Sequence, residues 1–432
     1  MSRLTLLDLR SAAPGDLATH LHRSAVPDRR VRDGAAAICD DVAERGDEAV
    51  REYADRFGGG FRLARPEEFD EAVASVGREV MDALTGAATA IEAFHRPQLP
   101  SDLEVSTAEG VQITRRWTPL HRVGAYVPGG KAAYPSTVLM TAVPARVAGV
   151  AEVVVASPAA PDGSVDPAVL AACRVAGVEE LWLMGGAQAI GALAHGTETI
   201  RAVEKIVGPG NSWVTAAKLA VFGVCAIDLP AGPSEVLVLA DHTSDPRLVA
   251  IDLLCQAEHG PDSPAVIVST DPDLPGRVEE ELDRLLPTLD RSEILDRALA
   301  EHGLAVIAPD REAALDFANR YAGEHVSIMT ADPESDSKLV TAAGSVYIGR
   351  WSPESAGDYA TGANHVLPTG GLAAACGPLA VDDFGSWRQE QRITREGLEG
   401  ILHTITTLAT AEGLTAHRLA AQIRFERPEE ST

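Results

Sequence analysis

Two polar side chains at the end of a helical run are the first candidates for chemistry. Gln256 and His259 stand three residues apart in LLCQAEHGPDS (253–263), so a helix presents them on one face. A carboxamide oxygen and an imidazole nitrogen offered side by side suit a metal ion or a polar substrate. Glu324 and His325 are adjacent at the head of the strand-like run EHVSIMT. Neighbours on a regular strand point to opposite faces, so this pair can share a site only at the strand's mouth. By themselves the two residues read equally well as a solvated Glu-His pair before a strand. Gly208-Pro209-Gly210-Asn211 precedes a helical run and reads as a tight turn first and a phosphate-binding helix start second. The full G-x-G-x-x-G fingerprint is absent. Ser234 in AGPSE lacks the G-x-S-x-G surroundings of a nucleophilic serine, which argues against a hydrolase.

These residues need elements to position them. The run 245–254 has helical spacing of apolar groups (Leu248, Ile251, Leu254), and Gly260-Pro261 stops it. Up to about Phe94 the pattern is mainly helical. From Val123 to about Ile348, β-branched runs alternate with helical stretches. EVVVAS (152–157), LWLMGG (181–186), CAIDLP (225–230), EVLVLAD (235–241), AVIVST (265–270) and LAVIAP (304–309) read as buried strands. Helical patterns at 167–176, 187–194 and 211–222 lie between them. Such alternation predicts α/β architecture with parallel, doubly wound sheets. Two sheets are more natural than one for this number of strands, so two Rossmann-like domains are expected, one inserted in the other. The first α/β domain takes 26–125 and 235–379, the insert 126–234. A short N-terminal helical segment (1–25) precedes them and a helical C-terminal tail (380–432) follows.

Composition limits the possible partners. A chain of 432 residues with a formal net charge of −26 does not suit general nucleic-acid or anionic-membrane binding, which need basic surfaces. The five cysteines are scattered and form no C-x-x-C, so neither a disulfide framework nor a thiolate zinc site is expected, and a reducing cytoplasm fits. The opening residues lack the basic and apolar regions of a signal peptide. The most apolar window, around 147–156, carries Glu152 and is too short to span a bilayer.

Seven segments, taken in order, resemble histidinol dehydrogenase: GAYVPGG (124–130) with PSTVLM (135–140), GGAQAI (185–190), GPGN (208–211), AGPSEVLVLAD (231–241), LLCQAEHGPDS, SPESAGDYATGANHVLPT (352–369) and AEGLTAH (411–417). RGDEAVREYADRF (45–57) extends the likeness toward the N-terminus. The resemblance implies the same nested fold and a zinc ion held by Gln256, His259, Asp358 and His417. By themselves Asp358 reads as a turn or cap residue and His417 as a surface histidine; only the family groups them. It implies NAD contacts at Tyr126, Gln188 and Asn211 in the inserted domain. Glu324 would activate water and His325 relay protons, while Ser234, His365 and Glu412, together with the zinc ligands and His325, would bind substrate. The implied reaction is oxidation of L-histidinol, a small amino alcohol, to L-histidine through L-histidinal with two NAD, the last steps of histidine biosynthesis. The implied assembly is a homodimer whose C-terminal tails cross over.

One stretch departs from the pattern. After HVLPTGG the chain reads LAAACGPLAVDDFGSW, with Gly377-Pro378 where the family commonly carries a serine-containing loop. Gly-Pro makes a harmless turn, or it marks a reshaped pocket. The alternative function is therefore a related zinc- and NAD-dependent dehydrogenase acting on another amino alcohol or polar diol. A non-catalytic zinc-stabilised binding protein would leave the Glu324-His325 pair without a purpose.

Overall fold

The structure, a computed structural model, describes residues 3–129 and 133–426. Gly130, the last residue of the VPGG turn, lies outside them. The chain divides into two compact units. The first holds residues up to Gln98 together with Leu120–Phe384, and the second holds Leu99–Pro119 with residues from Gly385 on.

In chain order the strands are β1 (Thr5–Asp8), β2 (Arg62–Leu63), β3 (Leu103–Ala108), β4 (Val111–Pro119), β5 (Arg122–Tyr126), β6 (Glu152–Ser157), β7 (Glu180–Leu183), β8 (Lys205–Val207), β9 (Ala226–Ile227), β10 (Val236–Ala240), β11 (Ala265–Ser269), β12 (Gly303–Ile307), β13 (His325–Ile328), β14 (Ser345–Ile348) and β15 (Gly385–Ile393). Two six-stranded sheets form the first unit. One runs β1-β12-β11-β10-β13-β14 and is parallel throughout. The other runs β2-β7-β6-β5-β8-β9 and is parallel except for the short β2. The parallel α/β class expected from the alternating pattern is the class observed.

The sequence of β10, VLVLA, shows why these strands are apolar at every position. Val236, Val238 and Ala240 enter a core with Leu253 and Ile267, while Leu237 and Leu239 enter another with Phe317 and Val326. Successive side chains point to opposite faces, and helices cover both faces. A third core lies under the second sheet, where Val154, Met184, Ile190 and Ile206 meet Ile38 and Val42 of the helix Arg29–Arg45.

Local signals set the helix ends. Asp166 accepts from the Ala168 N–H and Pro167 opens the helix Pro167–Ala176. Asp245 and Pro246 do the same for Pro246–Ala257, which delivers Gln256 and His259 at its end. Every strand read from the sequence is present, with ends shifted by up to three residues, and 225–230 shrinks to the two-residue β9, which is not buried.

Two elements differ from the sequence reading. Thr5–Asp8, inside the segment read as helical, is the edge strand β1 beside β12. Four residues are too few for periodicity to separate helix from strand, and the pairing decides. The tail read as helical opens instead with β15, which pairs antiparallel with β4, itself paired with β3. Its sequence, GSWRQEQRI, is mostly exposed and has no apolar alternation to reveal it. The helices Arg395–Ala411 and Thr415–Gln422 complete the second unit. Among the described residues no helix is long and apolar enough to cross a membrane, and the five cysteines are free thiols.

Candidate active site

The chemistry-bearing side chains of the first unit gather at the amino edge of its fully parallel sheet. Ser234 and Glu235 lead into β10, and Glu324 and His325 stand at the mouth of β13, with Val236 in register with His325. There the main chain of Glu235 holds both members of the pair. Its N–H donates to Glu324 Oε2 at 2.8 Å, and Ser234 Oγ donates to the same oxygen at 2.6 Å. Its C=O lies 3.2 Å from His325 Nδ1 and also accepts the His325 N–H. The Glu235 side chain is itself buried and tied to Arg23 and to the Gly370 N–H. Adjacent residues thus share one site because Glu324 precedes the strand.

This arrangement fixes the chemistry of the imidazole. With Nδ1–H given to a carbonyl, the His325 lone pair lies on Nε2, which is buried and has no hydrogen-bond partner among the described residues. Burial lowers the His325 pKa to about 3, so the ring is neutral. Burial also pushes the Glu324 carboxyl well above the usual carboxylate range, against the pull of Ser234 and the Glu235 N–H.

Beside the pair lies a second cluster. Gln256 and His259 come from the end of the helix Pro246–Ala257 and the turn after it. A helix C-terminus carries partial negative charge and favours cations. Asp358 comes from the short helix Glu354–Tyr359. One ligand atom each from His259, Glu354 and Asp358 fall within 4.8 Å of one another. The Gln256 side chain is fully buried, and neither its oxygen nor its nitrogen has a partner among the described residues. Burial raises Asp358 to about 6, and it lowers His259, with Arg291 contributing. Orphaned polar atoms around an imidazole and two carboxylates fit a divalent cation, which would supply the counter-charge they lack. His365, half-buried, has its Nδ1 3.8 Å from Asp358 Oδ1, and burial lowers its pKa to about 4.

Glu354 is the residue that sequence reasoning missed. It lies four positions before Asp358, so a helix sets both carboxylates on one face, and that spacing was its available signal. Glu412 and His417 belong to the second unit, Glu412 capping the helix Arg395–Ala411 and His417 on Thr415–Gln422, both exposed.

Of the three residues implied for NAD, Tyr126 lies on the other six-stranded sheet, and Gln188 and Asn211 lie on helices that follow its strands. Its strand order places β6 and β7 on one side of β5 and β8 and β9 on the other, so the order reverses between β5 and β8. Ligands of α/β sheets bind outside the strands' carboxyl ends at such a reversal. Tyr126 ends β5, and its hydroxyl accepts the Gly186 N–H at 3.2 Å. Gly208 follows β8 with φ +108°, and a Cβ there would lie 2.2 Å from the Tyr126 carbonyl oxygen, so only glycine fits. The Gly208 N–H donates to Asp228 at 2.7 Å and its C=O accepts from Lys218 at 3.0 Å, the two side chains forming a buried ion pair. Asn211 caps the helix Ser212–Val221, its Oδ1 accepting from Trp213 and Val214. Gln188 is buried in the first turn of Gly186–His195.

Gly377-Pro378 lines a cavity of about 520 Å³ with Asp228, Leu229, Asp382 and Val366, the residue after His365. This cavity holds neither Gln256, His259 nor the Glu324-His325 pair.

Comparison with known proteins decides the family. The histidinol dehydrogenase family model matches residues 21–425. The chain belongs to the histidinol dehydrogenase family. A histidinol dehydrogenase of Gluconobacter oxydans (strain 621H) is 44% identical, over 95% of this chain and 97% of its own length. One of Rhizobium meliloti (strain 1021) is 45% identical over 99% of both. The crystal structure of histidinol dehydrogenase from Elizabethkingia anophelis superposes with a TM-score of 0.92 at 35% identity, covering 99% of each chain. As a histidinol dehydrogenase family member, the chain is an oxidoreductase of histidine biosynthesis.

Proposed function

We propose that the chain oxidises L-histidinol to L-histidine through L-histidinal, using two NAD, in the cytoplasm. The observation that carries this reading is the neutral His325 imidazole, its Nε2 free, beside a cluster of orphaned cation-seeking groups. Zinc would be held by Gln256, His259 and Asp358 together with His417 of the partner subunit, in a homodimer whose tails cross and also bring Glu412 to the substrate. When bound, zinc anchors and polarises a polar substrate, and NAD accepts hydride, which no side chain can do.

The chain's own residues perform the proton chemistry. His325 Nε2 takes the proton of the alcohol, and the Glu235 carbonyl on Nδ1–H keeps the ring in the required tautomer. Glu324, held by Ser234 and the Glu235 N–H, draws a proton from the water that adds to the aldehyde. His365 and Ser234 border the substrate. Tyr126, Gln188 and Asn211 would receive the dinucleotide at the strand-order reversal, with Gly208 giving it close access to the main chain.

A second reading keeps this machinery and changes the alcohol. It is favoured by Gly377-Pro378, which shapes a cavity adjoining the residue after His365. The test for both is NADH formed per molecule of product when zinc-loaded protein meets L-histidinol. Two NADH per histidine is the expected result. Absence of turnover with zinc bound and the dimer intact would shift the assignment to another alcohol.

A further inference from the structure

We propose that Glu354 is a substrate-binding residue whose carboxylate accepts a hydrogen bond from a substrate N–H. The proposal rests on the reading of the site given above. The Glu354 side chain is 1% exposed, and neither of its oxygens has a hydrogen-bond partner among the described residues. The two imidazole nitrogens beside it are too distant to serve: His325 Nδ1 at 3.9 Å and His259 Nε2 at 4.0 Å. His325 Nδ1 is moreover already directed at the Glu235 carbonyl.

A buried carboxylate without a donor is costly, so its position must be matched by something that binds there. A metal ion and a substrate are the two candidates, and the donor count favours the substrate. Gln256, His259, Asp358 and the partner's His417 already make four protein donors, zinc's usual number. Glu354 Oε1 lies 4.0 Å from His259 Nε2 and 3.9 Å from His325 Nδ1, so a ligand bound beside these two imidazoles comes within its reach. Asp358, one helical turn later on the same face, would serve the metal, and Glu354 the nitrogen-bearing part of the ligand. A carboxyl group suits that task because its unpartnered oxygens can accept from an N–H donor. The residue would thereby select alcohols that carry an N–H donor over simple alcohols of the same length.

The test uses the zinc-loaded homodimer and its Glu354→Gln variant. L-histidinol binding is measured calorimetrically without NAD, kcat and KM are determined for both substrates, and zinc per protomer is counted after dialysis against a chelator. The expected result is that Kd and KM for L-histidinol rise about 10- to 100-fold while zinc content and the KM for NAD stay at wild-type values. Loss of zinc under dialysis that wild type withstands would make Glu354 a metal ligand and overturn the proposal. Unchanged Kd would overturn it as well. If Glu354→Gln does not fold, Glu354→Asp keeps the charge and shortens its reach, and must weaken L-histidinol with zinc retained. A wild type that holds zinc yet does not bind L-histidinol would sink the substrate reading along with this one. Normal wild-type binding matched by the variant would sink the Glu354 assignment alone.

Discussion

Replacing Asp358 with Asn should shift stability in opposite directions with and without metal. Asp358 is 8% exposed, and burial raises its carboxyl from the ordinary 3.8 to about 6. A raised folded pKa means that the native state keeps its proton where the unfolded chain has lost it. The metal-free fold is therefore favoured at low pH and loses stability as pH climbs through that window. The two values lie about two pH units apart, and each unit is worth about 1.4 kcal/mol. The ionised carboxylate thus costs the metal-free protein about 3 kcal/mol at pH 8 and about 1 kcal/mol at pH 4.5. Asparagine has no such ionisation. Metal-stripped Asp358→Asn should be more stable than wild type by up to about 3 kcal/mol at pH 8, and the gain should shrink toward pH 4.5. With zinc loaded the sign reverses, because the ion stabilises the native state only as strongly as its donors hold it. Urea unfolding of chelator-treated and zinc-loaded protein at the two pH values measures all four differences. A pH-independent gain would refute desolvation as its origin, and a gain in the zinc-loaded protein would refute Asp358 as a ligand.

Glu324→Gln should slow the aldehyde step more than the alcohol step, by about 10²- to 10⁴-fold in single-turnover assays started from L-histidinal; equal losses in both steps would contradict the division of labour. Lys218→Met leaves Asp228 buried without its counter-charge, and should cost about 3–5 kcal/mol in urea unfolding and raise the KM for NAD by loosening Gly208. Adding Asp228→Asn to that variant should recover most of the lost stability, as a double-mutant cycle would record. A mixed dimer of Asp358→Ala and His417→Ala chains should regain activity that neither homodimer has. Recovery of none would exclude tail exchange.

The fold and the site were not equally legible in the sequence. Strands such as β10 and β11 are apolar at every position because helices bury both of their faces, and that leaves a plain mark. Gln256 and His259 were readable as a pair because one helix carries them. Asp358 was not, since about a hundred residues separate it from them and only the family grouped it. Glu354 looked like one more glutamate in SPESAGDY. Burial singles it out, and burial is a property of the packed chain. The hold on Glu324 and His325 comes from the main chain of residue 235, which no side-chain pattern can report. β1 and β15 escaped because one is four residues long and the other is polar on both faces.

Chemistry at the amino edge of the parallel sheet leaves its opposite rim unencumbered. The turns leaving β10 at Asp241–Asp245, β11 at Thr270–Asp273 and β13 at Met329–Asp332 lie about 16 Å away along strands of four or five residues. That rim can be lengthened, decorated or tethered without disturbing the candidate site. A short glycine-serine insertion between Pro272 and Asp273, both exposed, should leave turnover intact. The architecture gives evolution, and the protein engineer, a handle on the far side of the catalytic machinery.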